Sequence, residues 1–335
     1  MSKNTIYYRL PGENHIHFAE APLQQYDPQK VNDHFLLIPF LFPIDTAYML
    51  DLEKSKELKS QEILEWELNH TYLVQNNIQK KPLFQELVKS AIQQINATKC
   101  QKIVLSRTIQ EPFQIKNALT LFVDLCNVYP NAFIHFLQSP ELGTWIGASP
   151  EQFLKKKGSD CLTVSLAGTR DAGSESDWDK KESQEQEIVT KYIIQQLDKA
   201  KASDINVHSR ETFKIGLIEH IKNTIHFQHN ADLHSLILTL HPTPAVCGFP
   251  KDKARSFIMA NEGYDRSLYT GIIGPIKANK EADLYVNLRC MQVFQDEALL
   301  YLGAGITAES DPESEFQETE NKSKVLMSVI QKIGN

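Results

Sequence analysis

Cysteine is scarce in this chain. The five present, Cys100, Cys126, Cys161, Cys247 and Cys290, are odd in number, widely spaced and never arranged as C-x-x-C. That excludes a disulfide framework or a zinc ribbon as the organising element and predicts free, mostly buried thiols. No run of 18 or more apolar residues occurs, so no membrane-spanning helix is expected. Basic clusters are also missing, and 35 lysines and arginines against 42 aspartates and glutamates leave a net charge of −7. This argues against nucleic acid as a partner. An anionic ligand would need a locally positive site set against an unfavourable overall field. The start of the chain lacks the basic-then-apolar order of a secretory signal, and no repeat or low-complexity segment is present, so a cytoplasmic protein is expected.

What is present is enough for a large core: 335 residues, 41% of them hydrophobic and 23% charged. The first 80 residues are the hardest to read. IHFAEAP and HFLLIPFLFP suggest strands, SKELKSQEILEWEL suggests an exposed helix, and site chemistry there is thin. From residue 82 the pattern sharpens. PLFQELVKSAIQQINAT has helical spacing of its apolar residues, and a short strand, KIVLSRTI, follows. AFIHFLQ, TWIGAS, CLTVSLAG, LILTLHP, LYVNLRCMQVF and ALLYLGAGI read as further strands. Long helices are expected at 176–201 and 313–333, with another in ETFKIGLIEHIKNTI. Strands arriving in runs predict an α+β fold with antiparallel sheets.

The last helix poses a physical problem. PESEFQETENK, residues 312–322, places four glutamates just ahead of the apolar run VLMSVI. Advancing about 100° per residue from Glu315 puts Glu318, Lys322, Val325, Leu326, Val329 and Ile333 all within about 80° of it. Two carboxylates and a lysine therefore continue the apolar stripe, while Glu313 and Glu320 point elsewhere and suit a solvated first turn. Buried carboxylates need partners. Lys322 can pair with Glu318 at i, i+4, but one lysine leaves two inward glutamates short of positive charge. The helix SDWDKKESQEQEIVTKYIIQQL repeats the anomaly: Glu185 shares a face with Ile188, Val189 and Tyr192. Two helices offering inward glutamate to one interior are what a hard divalent cation such as Mg²⁺ requires. On pattern alone, that reading and a purely structural one both stand.

These residues occur together with QKIVLSR, GTWIGASPEQF, LAGTR, HPTPAVCG, EGYDRSLYTGIIG, NLRC and YLGAGI, in an order and spacing that resembles the chorismate-utilising enzymes. The similarity runs from about residue 82 to 333 and is strongest to members that form isochorismate. It implies a single large α+β domain of two packed antiparallel sheets with helices outside. Residues 1–80 would be a shortened N-terminal part of the same fold, and residues 81–335 the chorismate-binding catalytic region. It also implies a monomeric, Mg²⁺-dependent isomerase for chorismate, in which water adds at C2, the double bonds shift and the C4 hydroxyl leaves. The product would feed menaquinone or a catechol siderophore.

By the same resemblance Lys102 matches a water-activating base, which must act as a neutral amine. Glu151 matches the general acid for the departing hydroxyl, a role that needs a raised pKa. Glu185 and Glu318 match metal ligands, and Glu315 a carboxylate acting beside the metal through water. Arg289, with the amides of Gly303, Ala304 and Gly305, matches the grip on the enolpyruvyl carboxylate, and Lys322 adds positive charge. His220 matches a group near the substrate hydroxyls, and Ala245, Val246 and Tyr269 match pocket walls. Without the resemblance, Lys102 reads as a strand-edge lysine, Glu151 as a turn residue and His220 as a satisfied core histidine. Two departures stand out: the family often has histidine at Gln186 and tryptophan at Phe316. Salicylate-forming relatives share the lysine, amino-transferring ones lack it, and a silent chorismate-binding protein is a third class.

Overall fold

Alternation of apolar side chains along the strands divides this chain into layers. In a computed structural model describing residues 4–63, 81–174, 177–216, 218–230, 232–278 and 281–333, two antiparallel sheets pack face to face. Phe35 and Leu37 point between the sheets and meet Ile6, Tyr8, Phe133, Leu137, Trp145, Ile273 and Tyr285. Their neighbours Leu36 and Ile38 face the other way, as do Tyr7, Ile134 and Phe136. One strand thus supplies two cores, the consequence of a side-chain period of two.

Six α-helices among the described residues cover the outer faces: α1 (Lys81–Ala97), α2 (Ala118–Val128), α3 (Lys180–Lys199), α4 (Leu233–Leu240), α5 (Lys251–Asn261) and α6 (Pro312–Ile333). Helices α2 and α6 cover one sheet, α3 and α4 the other, and α1 and α5 close the end of the first over Ile103, Leu105, Ala304 and Ile306. No described helix is long and apolar enough to cross a membrane. All five thiols are buried and free, as expected.

The nine-stranded sheet runs, edge to edge, 248–249, 102–112, 297–306, 290–293, 143–149, 133–139, 4–9, 16–21 and 56–58. The ten-stranded sheet runs 203–207, 218–228, 160–171, 152–157, 282–286, 272–276, 34–38, 48–51 and 23–25, with 211–215 also pairing with 218–228. Strands from the first 60 residues therefore join both sheets. The chain passes from one sheet to the other within a few residues at several places, from Ile16–Ala21 to Leu23–Gln25, from Tyr48–Asp51 to Lys56–Leu58, from Gly143–Ser149 to Gln152–Lys157 and from Ala282–Val286 to Cys290–Val293.

Four expectations are corrected. LYVNLRCMQVF is two strands in different sheets, broken at 287–289. LILTLHP belongs to α4, where Asp232 caps the Ser235 N–H at 2.8 Å and Leu236, Ile237 and Leu240 share the buried face. ETFKIGLIEHIKNTI is a hairpin, Glu211–Ile215 with Ile218–Gln228, in which Ile221, Asn223, Ile225 and Phe227 alternate inward. In SKELKSQEILEWEL, Lys56–Leu58 is an edge strand and Ser60–Glu62 a 3₁₀ turn, and residues 64–68 lie outside the described residues. A helix start at 176 does too; α3 begins at Lys180, capped by Asp179. Helices α2 and α5 were not anticipated.

One buried ion pair ties the end of α5 to this framework. Arg266 and Glu262 are each 2% exposed and meet through two hydrogen bonds of 2.8 and 2.5 Å. Arg266 also donates to the Val104 and Val246 carbonyls, both at 2.8 Å, and Glu262 accepts from the Ser106 N–H at 2.7 Å. Removing one partner strands the other charge in the interior. Arg266→Ala should therefore cost about 3–5 kcal/mol in a urea unfolding titration; a loss below about 1 kcal/mol would show the pair to be dispensable.

Candidate active site

The passages at 149–152 and 286–290 lie side by side and are stitched together. Ser149 Oγ donates to the Val286 carbonyl at 2.5 Å, and the Val286 N–H donates to the Glu151 carbonyl at 3.0 Å. Glu151 therefore stands in one passage with only 3% exposure. Burial pushes its carboxyl up to about 8, against the opposing charges of Lys102, Arg289 and Lys322. At neutral pH it holds a proton it can donate.

Arg289 stands in the other passage, with φ of 48°, a left-handed conformation uncommon outside glycine. Its Nη2 donates to His220 Nε2 at 2.9 Å, and its Nε is buried without a partner among the described residues. Burial pulls the guanidinium down to about 10, still ionised at neutral pH. His220 lies on a strand. Its Nδ1 is 2.8 Å from the Gly168 carbonyl, which can only accept, so Nδ1 carries the proton and Nε2 accepts from Arg289. Burial, then Arg289 and Lys322, push the imidazole down to about 3 and keep it neutral. Gly168, at φ 70°, sits in a register shift between Ala167 and Thr169 that turns the LAGTR backbone toward the site.

The inward carboxylates each meet a lysine. Glu185 Oε1 is 2.9 Å from Lys102 Nζ, Glu315 Oε1 is 2.5 Å from Lys181 Nζ, and Glu318 Oε1 is 2.5 Å from Lys322 Nζ. Helix α6 starts as its sequence requires, with Asp311 Oδ1 accepting the Ser314 N–H at 2.9 Å and Pro312 at the first helical position. Glu315 is fully buried; burial and the Glu318 charge lift it to about 7 despite Lys181. Burial would lift Glu318 as well, but Lys322 and Lys181 reverse this and hold it below the ordinary carboxylate range. Glu320, expected in solvent, pairs with the buried guanidinium of Arg107, which also lies 4.4 Å over the Phe316 ring.

A cleft of about 620 Å³, including its open mouth, collects part of this set, and Glu315, Glu318 and Lys181 do not line it. Glu151, Glu185, His220, Ala245, Val246, Tyr269, Arg289, Gly303, Gly305 and Lys322 all line it. Lys102 does not line it and reaches it through Glu185. Ala304 turns away, its methyl in the core under α1 and α5. Lys322 Nζ donates to the Gly303 carbonyl at 2.8 Å. In extended backbone the Gly303 and Gly305 amides point to that same side, and the Ala304 amide points to the Lys102–Pro112 strand. A Cβ at Gly305 would collide with Glu185 Oε1 and come within 2.9 Å of Lys102 Cε, so glycine makes room for that pair.

The family model described as chorismate binding enzyme matches residues 43–331. The chain belongs to the chorismate-binding enzyme family. It is 34% identical over 216 residues to the chloroplastic isochorismate synthase of Catharanthus roseus, covering 60% of this chain and 37% of that one. It is 28% identical over 258 residues to isochorismate synthase MenF of Escherichia coli (strain K12), covering 73% and 59%. The chain thus matches less than two thirds of either relative's length. The solved structure of MenF, the menaquinone-specific isochorismate synthase from Escherichia coli, superposes with a TM-score of 0.81 over 98% of this chain and 88% of that one, at 21% identity. That likeness establishes the two-sheet chorismate-binding fold.

Some residues in and around this cleft were missed from sequence. Lys181, the partner of Glu315, lies four residues before Glu185 on the same face of α3, a spacing that could have revealed it. Thr169, Thr270, Leu288 and Leu302 also line the cleft; they stand within LAGTR, EGYDRSLYTGIIG, NLRC and YLGAGI but were not singled out there. Gln186 bonds to Ser165, Thr190 and Asn223 at 3.0, 2.8 and 2.5 Å, locking α3 onto its sheet.

The raised Glu151 pKa has a thermodynamic consequence with a definite sign. A carboxyl raised on folding makes its full contribution below its unfolded value and loses it as pH rises through about 8. Glu151→Gln escapes that loss, so its stability relative to the parent should increase between about pH 5 and pH 9 in thermal unfolding. A pH-independent difference would mean that Glu151 ionises normally.

Proposed function

We propose that this chain is a Mg²⁺-dependent isomerase that converts chorismate to isochorismate. Water adds at C2 of the ring, the double bonds shift, and the C4 oxygen leaves as water. The observation that carries this reading is a buried Glu151, its carboxyl pushed up to about 8, sharing one cleft with Arg289, Lys322 and Glu185, which Lys102 meets from behind. The names of the sequence relatives support it.

Arg289, with an unspent buried N–H, suits the enolpyruvyl carboxylate, assisted by the Gly303 and Gly305 amides. His220, neutral and hydrogen-bonded through Nδ1, fixes the guanidinium's orientation. Lys102 takes the proton from the attacking water, which requires release from Glu185. Glu151 gives its proton to the departing C4 oxygen. Apolar walls from Val104, Leu166, Ala245, Val246, Leu288 and Leu302 restrict where water can stand.

The donor set fits a divalent cation. Glu318 raises the proton affinity of Glu315, the mutual repulsion that a bound cation relieves. Glu185, Glu315 and Glu318 do not bring one oxygen each within 4.8 Å of one another, among the described residues. Mg²⁺ needs no such cage, because it commonly holds one or two carboxylates and completes its shell with water. Glu185 and Glu318 would hold it directly and Glu315 through water. When bound it would neutralise the ring carboxylate and draw electron density from the ring.

Purified protein incubated with chorismate should give isochorismate only when Mg²⁺ is present, as identified by chromatography. Salicylate with pyruvate, or no conversion, would overturn the proposal. Lys102→Ala and Glu151→Gln should each lower kcat at least about a hundredfold with circular dichroism unchanged. Near-normal turnover in either variant would remove that residue from the chemistry.

A further inference from the structure

Residues 13–17 read ENHIH. His17 lies in the Ile16–Ala21 strand, and the bend at Asn14 and His15 that leads into it carries Glu13 and His15 to the same place. Strand register brings in two neighbours. His17 pairs across to Tyr8 on one side and to Glu57 on the other.

The polar atoms converge. His17 Nε2 lies 2.9 Å from Glu13 Oε2, and His15 Nε2 lies 3.5 Å from the same oxygen and 3.7 Å from Glu57 Oε1. Glu13, His15 and His17 each bring a ligand atom within 4.8 Å of the others, the one such trio among the described residues. The Tyr8 ring stacks on His17 at 4.6 Å and 13°, fixing the imidazole plane. Neither Glu13 nor Glu57 pairs with a lysine or arginine among the described residues, so two carboxylates face two imidazoles with no fixed cation between them.

We propose that Glu13, His15, His17 and Glu57 form a binding site for a zinc ion. Tetrahedral zinc with bonds of about 2.0–2.2 Å spaces its ligand atoms about 3.3–3.6 Å apart. The separations of 2.9, 3.5 and 3.7 Å bracket that spacing; Glu57 stands outside the converging trio, and its exposed side chain would swing in from His15 to close the shell. Two imidazole nitrogens select zinc over Mg²⁺, which prefers oxygen. None of the four residues lines the cleft. The ion would staple the N-terminal hairpin to the edge strand Lys56–Leu58 of the nine-stranded sheet, a structural role for a closed shell.

The test uses the full chain, stripped of metal with a chelator and titrated with Zn²⁺ in a calorimeter and with Co²⁺ in a spectrophotometer. One equivalent of zinc should bind with Kd of about 1 μM or tighter, zinc should raise Tm, and cobalt should give the intense visible bands of tetrahedral coordination. The double variant His15→Gln, His17→Gln should weaken zinc at least tenfold and abolish the cobalt bands, whereas Glu318→Gln on α6 should leave both intact. Glu57→Gln, at an exposed edge, provides a second test with little risk to folding, and should also weaken zinc. Absence of zinc binding, or affinity and cobalt spectrum unchanged in both the double variant and Glu57→Gln, would overturn the proposal.

Discussion

A charge taken out of water must bring its counter-charge with it, and much of this architecture follows from that constraint. Lys102, Glu151, Glu185 and Arg289 are all less than a tenth exposed. They are held by three kinds of device: the first position of a strand for Lys102, inter-sheet passages for Glu151 and Arg289, and a helix face for Glu185. Unpaired, any of them would cost several kcal/mol. Together they form a compensated set in which one carboxyl takes the cheaper course and keeps its proton. The neutrality of Glu151 is thus the price of its own burial, and the same burial makes it a usable acid.

The passages between sheets are what bring the set together. A strand confined to one sheet sends alternate side chains to opposite faces and cannot aim a carboxylate and a guanidinium into the same inter-sheet space from neighbouring positions. At 149–152 and 286–290 the chain leaves one ladder and enters the other, and Ser149, Val286 and Glu151 fasten the two crossings to each other. Gly303 and Gly305 complete the arrangement by omission: side chains there would occupy the space of Tyr269, Glu185 and Lys102.

Where a segment obeyed one period, its sequence was legible. Helix α6 declared its inward glutamates through a stripe that continued into Val325, Leu326 and Val329, all buried. Segments satisfying two periods were misread. Ile215, Ile218, Ile221 and Ile225 have near-helical spacing, but Ile221, Asn223, Ile225 and Phe227 also alternate, and pairing with the 160–171 strand decides for a strand. LILTLHP is apolar enough for a buried strand, and only the Asp232 cap and the pairing of Leu236 with Leu240 mark it as a helix. LYVNLRCMQVF has no glycine or proline to announce its break, because Arg289 itself takes the left-handed conformation. Of the site, the motif residues were visible through the family resemblance, and the cleft unites most of them. Lys181 was within reach of the spacing on its own helix, but its pairing with Glu315 on another helix and the bulge at Gly168 were not visible, since charge balance and backbone direction emerge only when the helices and sheets are assembled.

The account rests on Glu151 being a neutral acid inside a charged site. Difference infrared spectroscopy between the parent protein and Glu151→Gln at neutral pH reads this directly. A carbonyl stretch of a protonated carboxylic acid, present in the parent and absent in the variant, is the predicted result; a carboxylate band in its place would contradict the account.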